Sequence, residues 1–317
     1  MTNCREFTFL SSDGHTALHA MEWSPVDREP VAVLQIAHGV AEHIARYDDF
    51  ARFLNEQGVI VVGHDHLGHG LSLPEGGTPV YFGDGTDWFT VVEDIHLLHQ
   101  QLAQRYPQLP LLLMGHSMGS FLARSYLIRH PGTVKAAILM GTGWQGELTV
   151  NEGLLLANIL RAIKGGKATS KLVTSLAFGA YNKTCPEHRT AYDWLSVDTD
   201  NVDRYIADPM CGADVTVGLF REMLRGIRFN QAWRNMDKMD QEMPILLISG
   251  GRDPVGDMGA GVRRTHDCFR RCGVHRLTVK LYPTLRHEIL NEAAERDTVY
   301  GDIWQWMEQQ LRPESAE

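Results

Sequence analysis

Cysteine is scarce in this chain and has no useful spacing. The five residues, at 4, 185, 211, 268 and 272, form neither an even set nor a paired zinc-site pattern. A disulfide scaffold is therefore excluded and a reducing compartment expected; Cys268 and Cys272, four apart on an expected helix, read as packing. Positive charge is short as well. Lys and Arg number 30 against 39 Asp and Glu, for a formal net charge of −9, which argues against nucleic-acid binding. No stretch approaches the ~20 apolar residues of a membrane span, and the first residues run into a strand without an apolar signal core. No G-x-G-x-x-G opens a helix, and His38, Glu42 and His43 do not make H-E-x-x-H, so dinucleotide-binding and zinc-protease readings fall away. A soluble, cytoplasmic protein is expected. Its 317 residues, 44% apolar and 22% charged, suffice for one large domain, or one domain plus an insertion.

What is present is an alternation of short apolar runs with helical spacing. Strands are expected at 5–10 and 16–23 around Ser12-Asp13-Gly14, then at 31–37, 59–62, 111–114, 134–140, 244–249 and 276–282. Helices are expected at 44–57, 88–106, 121–130 and 294–311. This predicts an α/β fold with a mostly parallel eight-stranded sheet covered by helices on both faces. From Gly141 to about Arg234 no strong buried strand occurs, only amphipathic pieces around 154–163, 172–178 and 215–224. The division expected is a core at 1–144 and 236–317 with a helical cap, 145–235, inserted after the sixth strand.

The run Leu111 to Met114 breaks into Gly115-His116-Ser117-Met118-Gly119 and is followed by a helix. G-x-S-x-G arises by chance in glycine-rich turns, but strand, turn and helix together make it a nucleophile elbow with Ser117 at the tip. A serine hydroxyl is a weak nucleophile, so it needs an imidazole base, and the base needs an acid to orient it. Strand 244–249 runs out into Asp253 and strand 276–282 into His287, the order this elbow requires. The oxyanion hole is expected from the backbone N–H groups of Met118 and of Val40, in the loop after the third strand. His64, His66 and His69 around Asp65 look like a metal cluster, but Gly68 stands where a dinuclear set needs an Asp, so loop-stabilising hydrogen bonds are expected instead. The chemistry needs neither metal nor cofactor.

These residues carry a resemblance. His38-Gly39-Val40-Ala41-Glu42-His43 with Arg46-Tyr47, His64-Asp65-His66-Leu67-Gly68-His69-Gly70, Gly115 to Gly119, Asp253-Pro254-Val255-Gly256 and Arg286-His287-Glu288 together resemble the monoacylglycerol lipase and lysophospholipase branch of the α/β-hydrolases, also grouped as serine aminopeptidase-like hydrolases. The resemblance spans nearly the whole chain. It implies hydrolysis of an ester of a single-acyl-chain lipid through an acyl-enzyme on Ser117. The alternatives are a short-chain carboxylesterase and, on the same fold, a peptidase or amidase. Glu42 and Arg46 are implied near the polar head of the ester, with a loop salt bridge as the structural alternative. Two departures stand out. Ser120 replaces a third glycine of the elbow, and Leu290 stands where animal relatives often carry a histidine, leaving glycerol preference open.

Substrate choice is expected in the cap. Leu154, Leu155, Leu156, Ile159 and Ile163 are expected to line an acyl tunnel or touch a membrane surface, with packing on the core as the plain alternative; Trp144, Phe178 and Trp194 are equally two-sided. The partner expected is a small ester or lipid. Membrane contact through the cap and a homo-oligomer stay open.

Overall fold

The first two strands fold back on each other at a turn that Asp13 closes, its carboxylate accepting hydrogen bonds from the His15 and Thr16 amides at 2.8 Å. These strands are β1 (Thr2–Leu10) and β2 (Ala17–Pro25), paired antiparallel. In the computed structural model, which describes residues 2–177, 179 and 181–312, β3 (Ala32–Ala37), α1 (Asp48–Glu56) and β4 (Val59–His64) follow. Next come α2 (Trp88–Arg105), β5 (Leu111–His116), α3 (Met118–Arg129) and β6 (Ala136–Met140). The expected helix over 44–57 is split, because Ile44–Tyr47 forms a 3-10 turn before α1 begins.

Among the described residues the eight strands, with β7 (Ile245–Gly250) and β8 (Leu277–Tyr282), form one sheet in the order β1-β2-β4-β3-β5-β6-β7-β8. Pairing is parallel from β4 through β8 and antiparallel at β1 and β2. The apolar runs are continuous because both faces are covered, and the two-residue period sorts them. Val33, Ile60, Leu113, Leu139 and Leu247 point into one core, with residues of α2, α3 and α9 (Ala260–Arg271). Leu34, Val61, Leu112, Ile138 and Leu246 point into the other, with α1 and α10 (Arg296–Leu311).

Between β6 and β7 the chain leaves the sheet for α4 (Glu147–Lys164), α5 (Lys171–Ala177), α6 (Thr199–Ala207), α7 (Val217–Gln231) and α8 (Trp233–Met236). No helix was expected at α6. Its sequence is short and half polar, and what starts it is the Asp198 side chain accepting from the Asp200 and Asn201 amides. Helix α7 packs tightly on the core. A Cβ placed on Gly226 would lie 2.1 Å from the ring of Trp88, which is fully buried and donates through Nε1–H to Ser125 Oγ at 2.8 Å. Alanine ordinarily gains ~1 kcal/mol over glycine inside a helix. At Gly226 the indole has nowhere to move, so Gly226→Ala should instead destabilise by about 1–3 kcal/mol. Urea unfolding checks the sign.

Candidate active site

The sharpest backbone feature lies between β5 and α3. Ser117 has φ 52 and ψ −121, a left-handed conformation that costs a non-glycine residue about 1–3 kcal/mol and persists only where its surroundings impose it. They do. The Ser117 N–H donates to the Met140 carbonyl at 3.0 Å, and its own carbonyl accepts from the Ser120 amide and hydroxyl at 2.8 and 2.7 Å. Ser120, the departure from a third glycine, thus adds a hydrogen bond to the turn. The flanking glycines are needed for close approach: a Cβ on Gly115 would lie 2.2 Å from the Gly119 carbonyl oxygen, and one on Gly119 2.0 Å from that of Ala37.

Strand β7 runs out into Asp253 and β8 into His287, at the same sheet edge as Ser117. Asp253 is fully buried and its Oδ2 lies 2.9 Å from His287 Nδ1. It also accepts from Ser249 Oγ at 3.0 Å and the Val255 amide at 2.9 Å. Burial would push this carboxyl up, but the charge and hydrogen bond of His287, with those two further donors, hold it below its ordinary value. With Nδ1 held by the acid, His287 Nε2 has no partner among the described residues. Its ring and Ser117 line the same cavity. Gly141 makes room for it, since a Cβ there would stand 2.9 Å from His287 Cε1.

Strand β3 lies beside β5 in the sheet, so the loop after β3 borders Ser117. Gly39 allows that approach, because a Cβ on it would be 3.2 Å from Ser117 Cβ. The loop is held from below by His38, whose Nδ1 lies 2.7 Å from the Gly39 carbonyl and whose Nε2 accepts the His66 amide at 3.0 Å. This assigns the proton to Nδ1 and keeps the ring neutral. Glu42 accepts from the Gly39 amide at 2.6 Å, closing the turn. Val40 lines both cavities that adjoin Ser117. Met118 is the first residue of α3, so its N–H is among those a helix leaves without an internal partner.

Glu42 and Arg46 form a buried bridge. Arg46 Nη1 donates to Glu42 at 2.7 Å, and its two terminal nitrogens donate side by side to both oxygens of Glu288, each at 2.7 Å. Burial alone would raise both acids. In Glu42 the hydrogen bond to His116 and the Arg46 charge outweigh it and hold the carboxyl well below its usual range; in Glu288 the Arg46 charge and hydrogen bonds bring the carboxyl below its ordinary value. Glu42 and Glu288 reach the larger cavity and Arg46 lies beneath it. The expectation had no place for Glu288; the signal was an unpaired acid directly after His287.

Three residues expected at the substrate lie elsewhere. Leu154 is packed in the core and Ile159 is exposed, because α4 turns Gly153 and Leu156 toward the cavity instead. Leu290 is buried beside Arg46 in a small hollow. Trp194 lines both cavities and its ring lies 5.1 Å from that of His287; Trp144 packs beneath the Arg124 and Arg264 guanidiniums; Phe178 is outside the described residues. The histidine cluster divides: His69 Nδ1 lies 3.0 Å from the Leu67 carbonyl, a loop hydrogen bond of the expected kind, while His64 and His66 differ. The ring nitrogens of His64 and His66 find no hydrogen-bond partner among the described residues. The rings pack on one another instead, His66 at 4.2 Å from His38 and 5.0 Å from His64. Burial pushes His64 down to about 3 and His69 to about 4, so these rings are neutral, and those of His64 and His66 serve as aromatic packing.

Two cavities meet at Ser117. The larger, about 700 Å³, contains His287 and carries polar groups such as Thr169, Ser170, Asn182 and Asp214. The smaller, about 270 Å³, contains Val40 and Met118 but not His287, and is walled by Phe121, Val150, Leu156, Phe220 and Leu224.

A serine and an imidazole with an unpartnered Nε2 lining one cavity, an acid behind that imidazole, and a loop beside the serine can carry acyl transfer. Known proteins of similar sequence and shape agree. The profile of the family described as serine aminopeptidase, S33, matches residues 28–294. The chain is 31% identical over 286 residues, 90% of each protein, to a monoacylglycerol lipase of Mycolicibacterium smegmatis. It is 26% identical to the Homo sapiens monoglyceride lipase over 95% of this chain and 89% of that one. A thermostable carboxyl esterase from Bacillus coagulans, solved with glycerol, superposes with a TM-score of 0.90 at 29% identity, covering 98% of this chain and 99% of that one.

Proposed function

This chain belongs to the serine aminopeptidase, S33, family of α/β-hydrolases and is a carboxylic ester hydrolase; from that premise we propose that Ser117, His287 and Asp253 cleave esters of single-acyl-chain lipids, monoacylglycerol foremost. The observation that carries the reading is the 2.9 Å contact of His287 Nδ1 with buried Asp253, which leaves Nε2 unpartnered among the described residues on a ring that lines the same cavity as Ser117. Ser117 Oγ attacks the acyl carbon as His287 Nε2 takes its proton. The Val40 and Met118 N–H groups receive the charge that develops on the carbonyl oxygen. His287 then returns the proton to the leaving alkoxide, and the same sequence with water releases the acid.

Proton return also assigns the cavities. The alcohol must leave from the side where His287 stands, which is the larger cavity, where Thr169, Ser170, Asn182 and Asp214 add polar groups to a largely apolar wall. The acyl chain then occupies the smaller apolar one beside Met118. Residues 145–235 serve as the cap that closes both. Leu148, Leu155, Ile159 and Ile163 of α4 are exposed, which favours transient contact of this cap with a lipid surface; a second copy of the chain is the other partner that such a row suits. The five cysteines are all free, which fits the cytoplasm, and among the described residues no helix is long and apolar enough to cross a membrane.

The second reading, a short-chain carboxylesterase, draws on the likeness to the Bacillus coagulans esterase. The test is hydrolysis of p-nitrophenyl esters of rising chain length beside monoacylglycerol and lysophospholipid, for wild type and Leu156→Trp. Each buried methylene is worth about 0.8 kcal/mol. The tryptophan should therefore lower kcat/KM for the longer esters by about tenfold or more while sparing acetate and butyrate. A wild-type optimum at C2–C4 moves the assignment to the esterase. Equal losses at every chain length remove the acyl role of the smaller cavity.

A further inference from the structure

Away from Ser117, His43, Asp208 and Cys211 bring one nitrogen, one oxygen and one sulfur ligand atom within 4.8 Å of one another. His43 Nε2 lies 2.8 Å from Asp208 Oδ2. His43 belongs to the loop that carries Gly39 and Val40; Asp208 and Cys211 follow α6 in the segment between β6 and β7. The two segments are already joined here, since the Ala41 carbonyl accepts from the Gly212 amide at 3.0 Å and from the Tyr205 hydroxyl at 2.9 Å. We propose that this junction is a binding site for a thiophilic divalent cation, zinc by preference, which clamps the cap segment to the oxyanion loop and inhibits hydrolysis.

Two observations point this way. The donor set is the nitrogen, carboxylate and thiolate mixture that zinc favours. Charge balances: a divalent ion with the Asp208 carboxylate, a Cys211 thiolate and a neutral His43 imidazole sums to zero, which suits a largely buried place. The guanidinium next to the site, Arg46, does not upset that sum, because Glu42 and Glu288 already pair with it. On binding, the metal displaces the thiol proton to solvent.

Inhibition follows from distances. With metal–ligand bonds of about 2.0–2.2 Å in tetrahedral geometry, nitrogen and oxygen ligands stand roughly 3.3 Å apart. His43 and Asp208 must therefore open from 2.8 Å. That displacement falls three residues beyond Val40, on a loop whose amide has to meet the oxyanion within hydrogen-bond distance. This step rests on the proposed role of Val40; the binding does not.

The experiment titrates cobalt(II), then zinc chloride, into the full chain, wild type and Cys211→Ser. One cobalt equivalent should give a thiolate-to-metal charge-transfer band that the serine variant lacks. Zinc should displace that cobalt and bind the serine or Asp208→Asn variant at least tenfold more weakly. Zinc should also inhibit ester hydrolysis by wild type over its binding range, with Cys211→Ser needing at least tenfold more. A band missing from wild type, or kept in Cys211→Ser, overturns the site. Inhibition equal in both proteins places the metal elsewhere, and binding without inhibition overturns the clamp. Because the cobalt band needs no substrate, absent hydrolysis would count against the proposed function and leave the site tested.

Discussion

Ser117→Ala should lower kcat by on the order of 10⁶ while leaving the fold intact, the scale on which a triad nucleophile is lost in a serine hydrolase. Alanine keeps the Cβ, so the turn at φ 52 is neither relieved nor worsened, and the hydrogen bonds at its apex are made by the Ser117 backbone. What disappears is the one atom that forms the acyl-enzyme. The melting temperature should stay within a degree or two and ester should still enter both cavities, so the loss belongs to kcat. Asp253→Asn should cost about 10⁴, because the amide favours the wrong imidazole tautomer. Burst kinetics with a p-nitrophenyl ester and covalent labelling by a fluorophosphonate read both variants. An alanine variant that still turns over within a hundredfold of wild type would place the nucleophile elsewhere and defeat the mechanism.

Arg46→Met should destabilise the protein by about 3–5 kcal/mol, the cost of leaving buried charge uncompensated. Glu42 and Glu288 are both buried and both lean on this one guanidinium. The deficit should depend on pH with a definite sign. In the wild type the two carboxyls sit below their ordinary values, so the stability they contribute is full above the unfolded carboxyl pKa and fades as pH falls through the folded one. In Arg46→Met the dominant influence left on Glu288 is burial, which raises a carboxyl and favours the protonated form. The gap between the two proteins should be widest near neutral pH and narrow as pH falls through the raised folded value of Glu288 in Arg46→Met, where the variant takes up a proton that the folded wild type does not, the unfolded chains titrating alike. Adding Glu288→Gln to Arg46→Met should recover part of the loss. Urea melts from pH 4 to 8 measure all three proteins, and a gap that stays constant with pH would show that packing, not charge, is what Arg46 contributes.

The sheet was legible because the inner parallel strands are nearly unbroken apolar runs while β8, at the edge, alternates as Leu-Thr-Val-Lys-Leu-Tyr, and the strands that bear on the site run out into residues that make poor strand: His38-Gly39, Gly115 to Gly119, Asp253-Pro254, His287. Chain order then singled out Ser117, Asp253 and His287 for one edge. The bridge from Arg46 to Glu288 was not legible, because its partners lie 242 residues apart and nothing local to either marks the pairing. The lining of the acyl cavity failed for another reason. On an amphipathic helix such as α4 the apolar residues cover more than one face, and only the neighbouring helix decides that Leu156 looks inward while Ile159 looks out. The expectation failed at His64 and His66, though not at His69, because a buried neutral imidazole is hard to tell from a hydrogen-bonded one by residue type.

The chain leaves the sheet after β6 and re-enters it at β7, the adjacent strand. Ser117, Asp253 and His287 all lie outside this excursion, yet Trp194 within it packs on the His287 ring and the Gly226 face of α7 packs on Trp88. On the proposed reading, grafting a different helical segment between Gly141 and Pro244 would alter what reaches the serine while leaving the three side chains in place, provided the graft restores those two contacts.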